Sequence, residues 1–116
     1  MSIITIKKRH DFLLSHKAGK KQYRKYLNIQ CYHRKDSSEA VFFGFTITKK
    51  IAAAIMRNKI KRRLKSIIAF LIKNKKDFFV VGCNYVFIGK PNIIEATFEE
   101  LKEDVVLGCI NLYKSE

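Results

Sequence analysis

The sequence predicts an α+β fold, a single domain over residues 1–116 with helices packed on a small sheet and elements in the order αββαβα. Three observations lead there. A chain of 116 residues suits one hydrophobic core. Short runs rich in aromatic and β-branched residues alternate with longer segments whose apolar residues recur every three or four positions. No repeat, low-complexity tract or Pro/Gly linker divides the chain, and Pro91 is its only proline.

The elements follow in order. "KRHDFLLSHKA", from about Lys8 to Ala18, reads as a short helix that stops at Gly19. "YLNIQCYH" (26–33) places Leu27, Ile29 and Cys31 on one face and reads as a strand. After the polar turn "RKDSSE", "AVFFGFTIT" (40–48) reads as a second strand, and the two together suggest a hairpin. On that second strand Phe43 and Phe45 share a face and Phe42 takes the other. The longest helix is expected from about Ala53 to Ile72. "DFFVVGCN" reads as a packed loop, and "YVFIG" (85–89) as a strand ended by Gly89, Lys90 and Pro91. The last helix, 97–113, opens with Thr97 as N-cap and Glu100 completing a capping box.

Charge narrows the function. The formal net charge is +14, and it is unevenly spread: 22 Lys/Arg against 4 Asp/Glu in residues 1–94, but 2 against 6 in residues 95–116. So cationic a chain suits a polyanion, with nucleic acid the first candidate and an anionic membrane surface the second. No apolar run approaches the roughly 20 residues that cross a bilayer, and the N-terminal charges follow the short apolar run instead of preceding it as in a secretory signal. Cys31, Cys83 and Cys109 are scattered and form no C-x-x-C pair, which points to small buried side chains in a reducing compartment. A cytoplasmic protein is expected.

The longest helix concentrates the charge. Six cationic residues lie within Arg57 to Lys65. At about 100° per residue, Met56, Ile60, Leu64, Ile67, Ile68 and Leu71 gather into a stripe that docks on the sheet. Asn58, Lys59, Lys61, Arg62, Arg63 and Lys65 fill the remainder as a basic face. Arg57 projects near the middle of the apolar arc. Arg57, Lys61 and Lys65 form a row about 12 Å long, which Lys49 and Lys50 extend. No acidic partner stands at i+4, so the face is left for phosphates, whose neutralisation makes binding strongly salt-dependent. Phe12, Phe42, Phe43 and Phe45 are either core or stacking surfaces for unpaired bases. His10, His16 and His33 have no metal-ligand spacing, no carboxylate pair lies in the basic region, and no nucleophile or phosphate-loop motif occurs. The pattern is that of a binder.

"GFTITKKIAAAIMRNKIKRRLK" (44–65) resembles the signature of the bacterial ribonuclease P protein component, in which a strand ending in two lysines leads into a helix bearing R-N-R-x-K-R. Arg57, Asn58, Lys59, Ile60, Lys61 and Arg62 occupy that motif, with Lys65 at a further Arg position. "KKRHDF" and "NYVFIGKP...TFEELKEDV" extend the likeness to nearly the whole chain. The resemblance implies a mixed sheet with the basic helix in a left-handed β-α-β crossover, as in the second domain of a small-subunit ribosomal protein. It implies the role of small subunit in the endoribonuclease that removes the 5′ leader of precursor tRNA. Mg²⁺-assisted chemistry would then belong to the catalytic RNA, with no catalytic side chain and no metal bound by the protein alone.

The partners so implied are the catalytic RNA and precursor tRNA, with no membrane and no obligate protein partner. By the same carry-over Arg57, Asn58, Lys59, Lys61, Arg62, Lys65, Lys49 and Lys50 contact RNA. Phe12, His16 and Ile29 line the cleft for the single-stranded leader. Another RNA-binding module, such as a ribosomal protein, is the alternative. The chain departs from the family pattern at Ala52, Ala53 and Ala54, where Gly-Asn-Ala is common, at Lys59 in place of Arg, and at His16 in place of a second aromatic.

Overall fold

The computed structural model describes residues 3–114, with side chains through Tyr113. Its elements run β1 (Ile4–Thr5), α1 (Arg9–Ala18), β2 (Lys20–Tyr23), β3 (Leu27–His33), β4 (Phe42–Thr46), α2 (Ala54–Asn74), β5 (Cys83–Gly89), a 3-10 turn (Pro91–Glu95) and α3 (Phe98–Lys114). The predicted αββαβα order is present, with two further strands. Both escape the hydrophobic pattern because they are edges: β1 has two residues, and β2 reads Lys-Lys-Gln-Tyr, the charged composition that blunts an exposed sheet edge.

The sheet order is β1-β4-β5-β3-β2, mixed, with β4 parallel to β1 and β5, and β3 antiparallel to β5 and β2. The expected hairpin between β3 and β4 does not form, because β5 lies between them. Six of the seven β5 residues are buried, so this strand needs cover on both faces and both edges and takes the centre. The chain after β3 must therefore pass β5, and Arg34 holds it there. Its guanidinium donates to Asn84 Oδ1 (2.8 Å) and to the Cys83 and Ala40 carbonyls, and lies 4.7 Å from the Phe42 ring centroid.

Register sorts the sheet into two faces. Leu27, Ile29, Phe43, Tyr85 and Phe87 point to one side. There they meet the α2 stripe of Ile60, Leu64, Ile67, Ile68 and Leu71, and the α3 stripe of Leu101, Val105, Cys109 and Leu112. These residues form the core. On the opposite face, Asn28, Gln30 and Tyr32 of β3 line up with Ile88, Val86 and Asn84 of β5, and these with Thr46, Gly44 and Phe42 of β4. Helix α1 covers part of that face.

The segment before β5 is the packed loop expected, except that Cys83 and Asn84 already belong to the strand. Phe79 stands edge-on to Phe43 and Tyr85, and the Tyr85 hydroxyl accepts the Val80 N–H at 3.0 Å. The capping box of α3 is formed as predicted. Thr97 N–H donates to Glu100 Oε1 (3.0 Å) and Glu100 N–H to Thr97 Oγ1 (3.1 Å). Tyr26 ties the β2–β3 turn to this helix through its N–H to Asp104 and its hydroxyl to Glu100.

Candidate nucleic-acid interface

Helix α2 begins at Ala54 with Ala53 as N-cap, and no side chain caps it. Arg57, in the first turn, folds back on the loop before the helix. Its Nη1 donates to the Ala52 carbonyl at 2.9 Å, while its backbone N–H donates to the Ala53 carbonyl. This explains how a cation can project from the apolar arc: the half-buried side chain folds back on the loop, with most of its five N–H donors still unspent.

The other predicted residues form one surface. Asn58, Lys59, Arg62 and Lys65 are exposed, Lys61 is half-buried, and Lys49 and Lys50 are exposed in the connection from β4. Lys65 Nζ sits 6.0 Å from the Phe45 ring centroid, a cation–π contact between α2 and β4. Arg63 turns away to the Ala96 carbonyl (3.4 Å), so it serves the junction before α3 and not the open face. Among the described residues the ion pairs are Arg24–Asp104 and Arg34–Asp36, neither of which touches α2. The basic face therefore carries uncompensated positive charge.

A second surface lies on the α1 side of the sheet. A Cβ at Gly44 would come 2.6 Å from the Phe12 ring, so the glycine is what lets this aromatic lie flat on β4. Phe12 is half-buried, a wedge under α1 with one open edge. His16 is exposed, and Gln30 Nε2 lies 3.2 Å from its Nδ1.

Ile29 is not in this cleft. It is fully buried on the core face, where a Cβ at Gly108 of α3 would come 2.5 Å from its Cδ1. The strand's pleat sends alternate residues to opposite faces, so its neighbours Asn28 and Gln30 stand where Ile29 was expected.

Beyond the reach of α1, register aligns Tyr23, Asn28, Ile88 and Thr46 across four strands. Tyr23 is 68% exposed, and Asn28 Oδ1 is a buried acceptor without a partner. The exposed Tyr23 ring can stack on an unpaired base. The alternation of β3 carried the signal for Asn28. Tyr23 and Thr46 follow only once the pairing is known. Thr46 ends β4, and Lys49 and Lys50 come next in the connection to α2. The cleft and the basic face thus adjoin at one end of β4.

The Ribonuclease P family model matches residues 3–112. The ribonuclease P protein component of Caulobacter vibrioides is 35% identical over 107 residues, covering 92% of this chain and 69% of its own. That of Finegoldia magna is 26% identical over 106 residues, covering 91% and 88%. Among solved structures, the RNase P protein from Thermotoga maritima aligns with a TM-score of 0.72 at 27% identity, covering 97% of this chain and 96% of its own. The Staphylococcus aureus RNase P protein, 19% identical, shares the fold with a TM-score of 0.79 over 95% of each chain. With the family match spanning nearly all described residues and the architecture shared, the chain belongs to the ribonuclease P protein component family.

Proposed function

We propose that this chain is the protein subunit of a ribonucleoprotein endonuclease that removes the 5′ leader of precursor tRNA, and that its two surfaces divide the work. The α2 face, with Arg57, Asn58, Lys59, Lys61, Arg62 and Lys65, together with Lys49 and Lys50, holds the catalytic RNA. The cleft of Phe12, His16, Asn28, Gln30 and Tyr23 holds the single-stranded leader. The observation that carries this reading is the uncompensated basic face of α2 adjoining a cleft with an exposed aromatic ring.

Phosphodiester hydrolysis, on this reading, is assisted by Mg²⁺ held by the RNA. Among the described residues no three His, Cys, Asp or Glu side chains gather to hold a metal. The protein's own contribution is electrostatic and positional. Cationic side chains offset phosphate repulsion where substrate and RNA meet. No helix among the described residues is long and apolar enough to cross a membrane, and a cytoplasmic setting agrees with RNA partners.

The test is reconstitution: precursor tRNA cleavage by the matching catalytic RNA, with and without this protein, at low Mg²⁺. Accurate 5′ cleavage restored by the protein, and none by protein alone, is the expected outcome. A folded protein that restores nothing would refute the assignment.

A further inference from the structure

Two of the three cysteines, far apart in sequence, meet on the core side of the sheet. Cys31 pairs across from Tyr85, and Cys83 across from His33, so the two thiols are diagonal neighbours on one face of the β3–β5 ladder. Both are free, and both line a cavity of about 460 Å³ whose wall also includes Lys20, His33, Leu112 and Tyr113. Cys31 is half-buried and Cys83 is 3% exposed, and both are reached from the cavity. This region plays no part in the surfaces assigned to RNA.

We infer that Cys31 and Cys83 form a two-thiolate site for a soft monovalent cation of the Cu(I) type. Two observations select this ligand. First, diagonal neighbours in an antiparallel pair have Cα atoms roughly 7–8 Å apart, beyond the roughly 4.4–6.8 Å of an unstrained disulfide. The thiols can touch, but a direct S–S bond is disfavoured, and an atom inserted between them fits better. Second, among the described residues no third His, Cys, Asp or Glu completes the group. His33, though cross-strand from Cys83, has its Nε2 near Gly82. Zinc, which takes four ligands, is poorly served, whereas thiolates select Cu(I).

Two thiolates and one monovalent cation leave a net charge of minus one beside Lys20 and Lys35, which also line the cavity. On binding, two S–Cu bonds form, the thiol protons pass to solvent, and no electron is transferred. Cys109 is fully buried and does not line the cavity, so it stands outside the site.

The experiment titrates the full reduced, metal-free chain with Cu(I) under nitrogen against a competing colorimetric chelator, with native mass spectrometry reading stoichiometry. One equivalent retained per chain is expected, with a rise in melting temperature as β3 is tied to β5 and unchanged affinity for RNA. Cys31→Ser should weaken retention by more than the roughly 10–100-fold typical for loss of a supporting partner. Because Cys31 is half-buried, this variant keeps the test open if Cys83→Ser fails to fold. Cys109→Ala should retain the ion. No retention by the native chain, or equal retention by a folded Cys31→Ser chain, overturns the proposal.

Discussion

Lys61→Ala combined with Arg62→Ala isolates the electrostatic role of α2. Arg62 is exposed and Lys61 half-buried, and neither is in an ion pair among the described residues or in a hydrogen bond to another side chain. Alanine is the best helix former, so the fold should keep its stability within about 0.5 kcal/mol. If each side chain makes a charged hydrogen bond to phosphate, the lower end of that range is about 1.5 kcal/mol apiece. Together that is about 3 kcal/mol, on the order of a hundredfold in affinity for the catalytic RNA. The salt dependence is the sharper signature. Each lost phosphate contact lowers the slope of log K against log salt by roughly 0.7–0.9 units, so the double variant should lose roughly 1.4–1.8. Filter binding or fluorescence titration over a salt series measures both quantities, with thermal melts as the control. An unchanged melt with affinity within twofold and an unchanged slope would refute the placement of these residues on RNA.

Other consequences follow from the cleft and from α3. Asn28→Val removes a buried acceptor that has no partner. Unfolding stability should rise by about 1 kcal/mol, and a denaturant midpoint that is unchanged or lower would contradict it. Gly44→Val places carbon where the Phe12 ring lies, 2.6 Å from even a Cβ. It should cost about 1–3 kcal/mol in denaturant unfolding and weaken leader binding by displacing α1.

Glu100 is held below the usual carboxylate range by the Thr97 N–H first and by the Tyr26 hydroxyl next. A depressed folded-state value contributes stability above the unfolded carboxyl value and loses it as pH falls through the folded one. The advantage of the native chain over Glu100→Gln should therefore be largest at neutral pH and shrink below the ordinary glutamate range, read from urea midpoints. A gap that is constant with pH would contradict it.

Legibility in the sequence varied with how local the determinant is. The buried stripe of α2 was readable because its periodicity lies within one segment, and Ile60, Leu64, Ile67, Ile68 and Leu71 are all buried. The Thr97–Glu100 box was readable for the same reason. Strand neighbours are non-local. Proximity in sequence favoured a β3–β4 hairpin, and only the need to bury β5 on both faces separates them. The alternation of β3 puts Ile29 on one face with Leu27 and Cys31, and that face is the core; the cleft position that the family likeness implies for Ile29 falls to Asn28 and Gln30 on the other face. The meeting of Cys31 and Cys83 depends on the β3–β5 register, which no local pattern encodes.

The adjoining of cleft and basic face at the end of β4 has a metric consequence. The sheet is a stiff plate, with its α1 side and its α2 side joined by the seven residues between Thr46 and Ala54. On the proposed function, this short connection works as a ruler: it fixes how far the gripped strand lies from the RNA held by α2, and so which phosphodiester meets the reactive centre. Adding a residue or two there would keep the cleft and the α2 face yet move the cut along the transcript. Accuracy of cleavage, as distinct from affinity, would then be a property of the plate and its hinge.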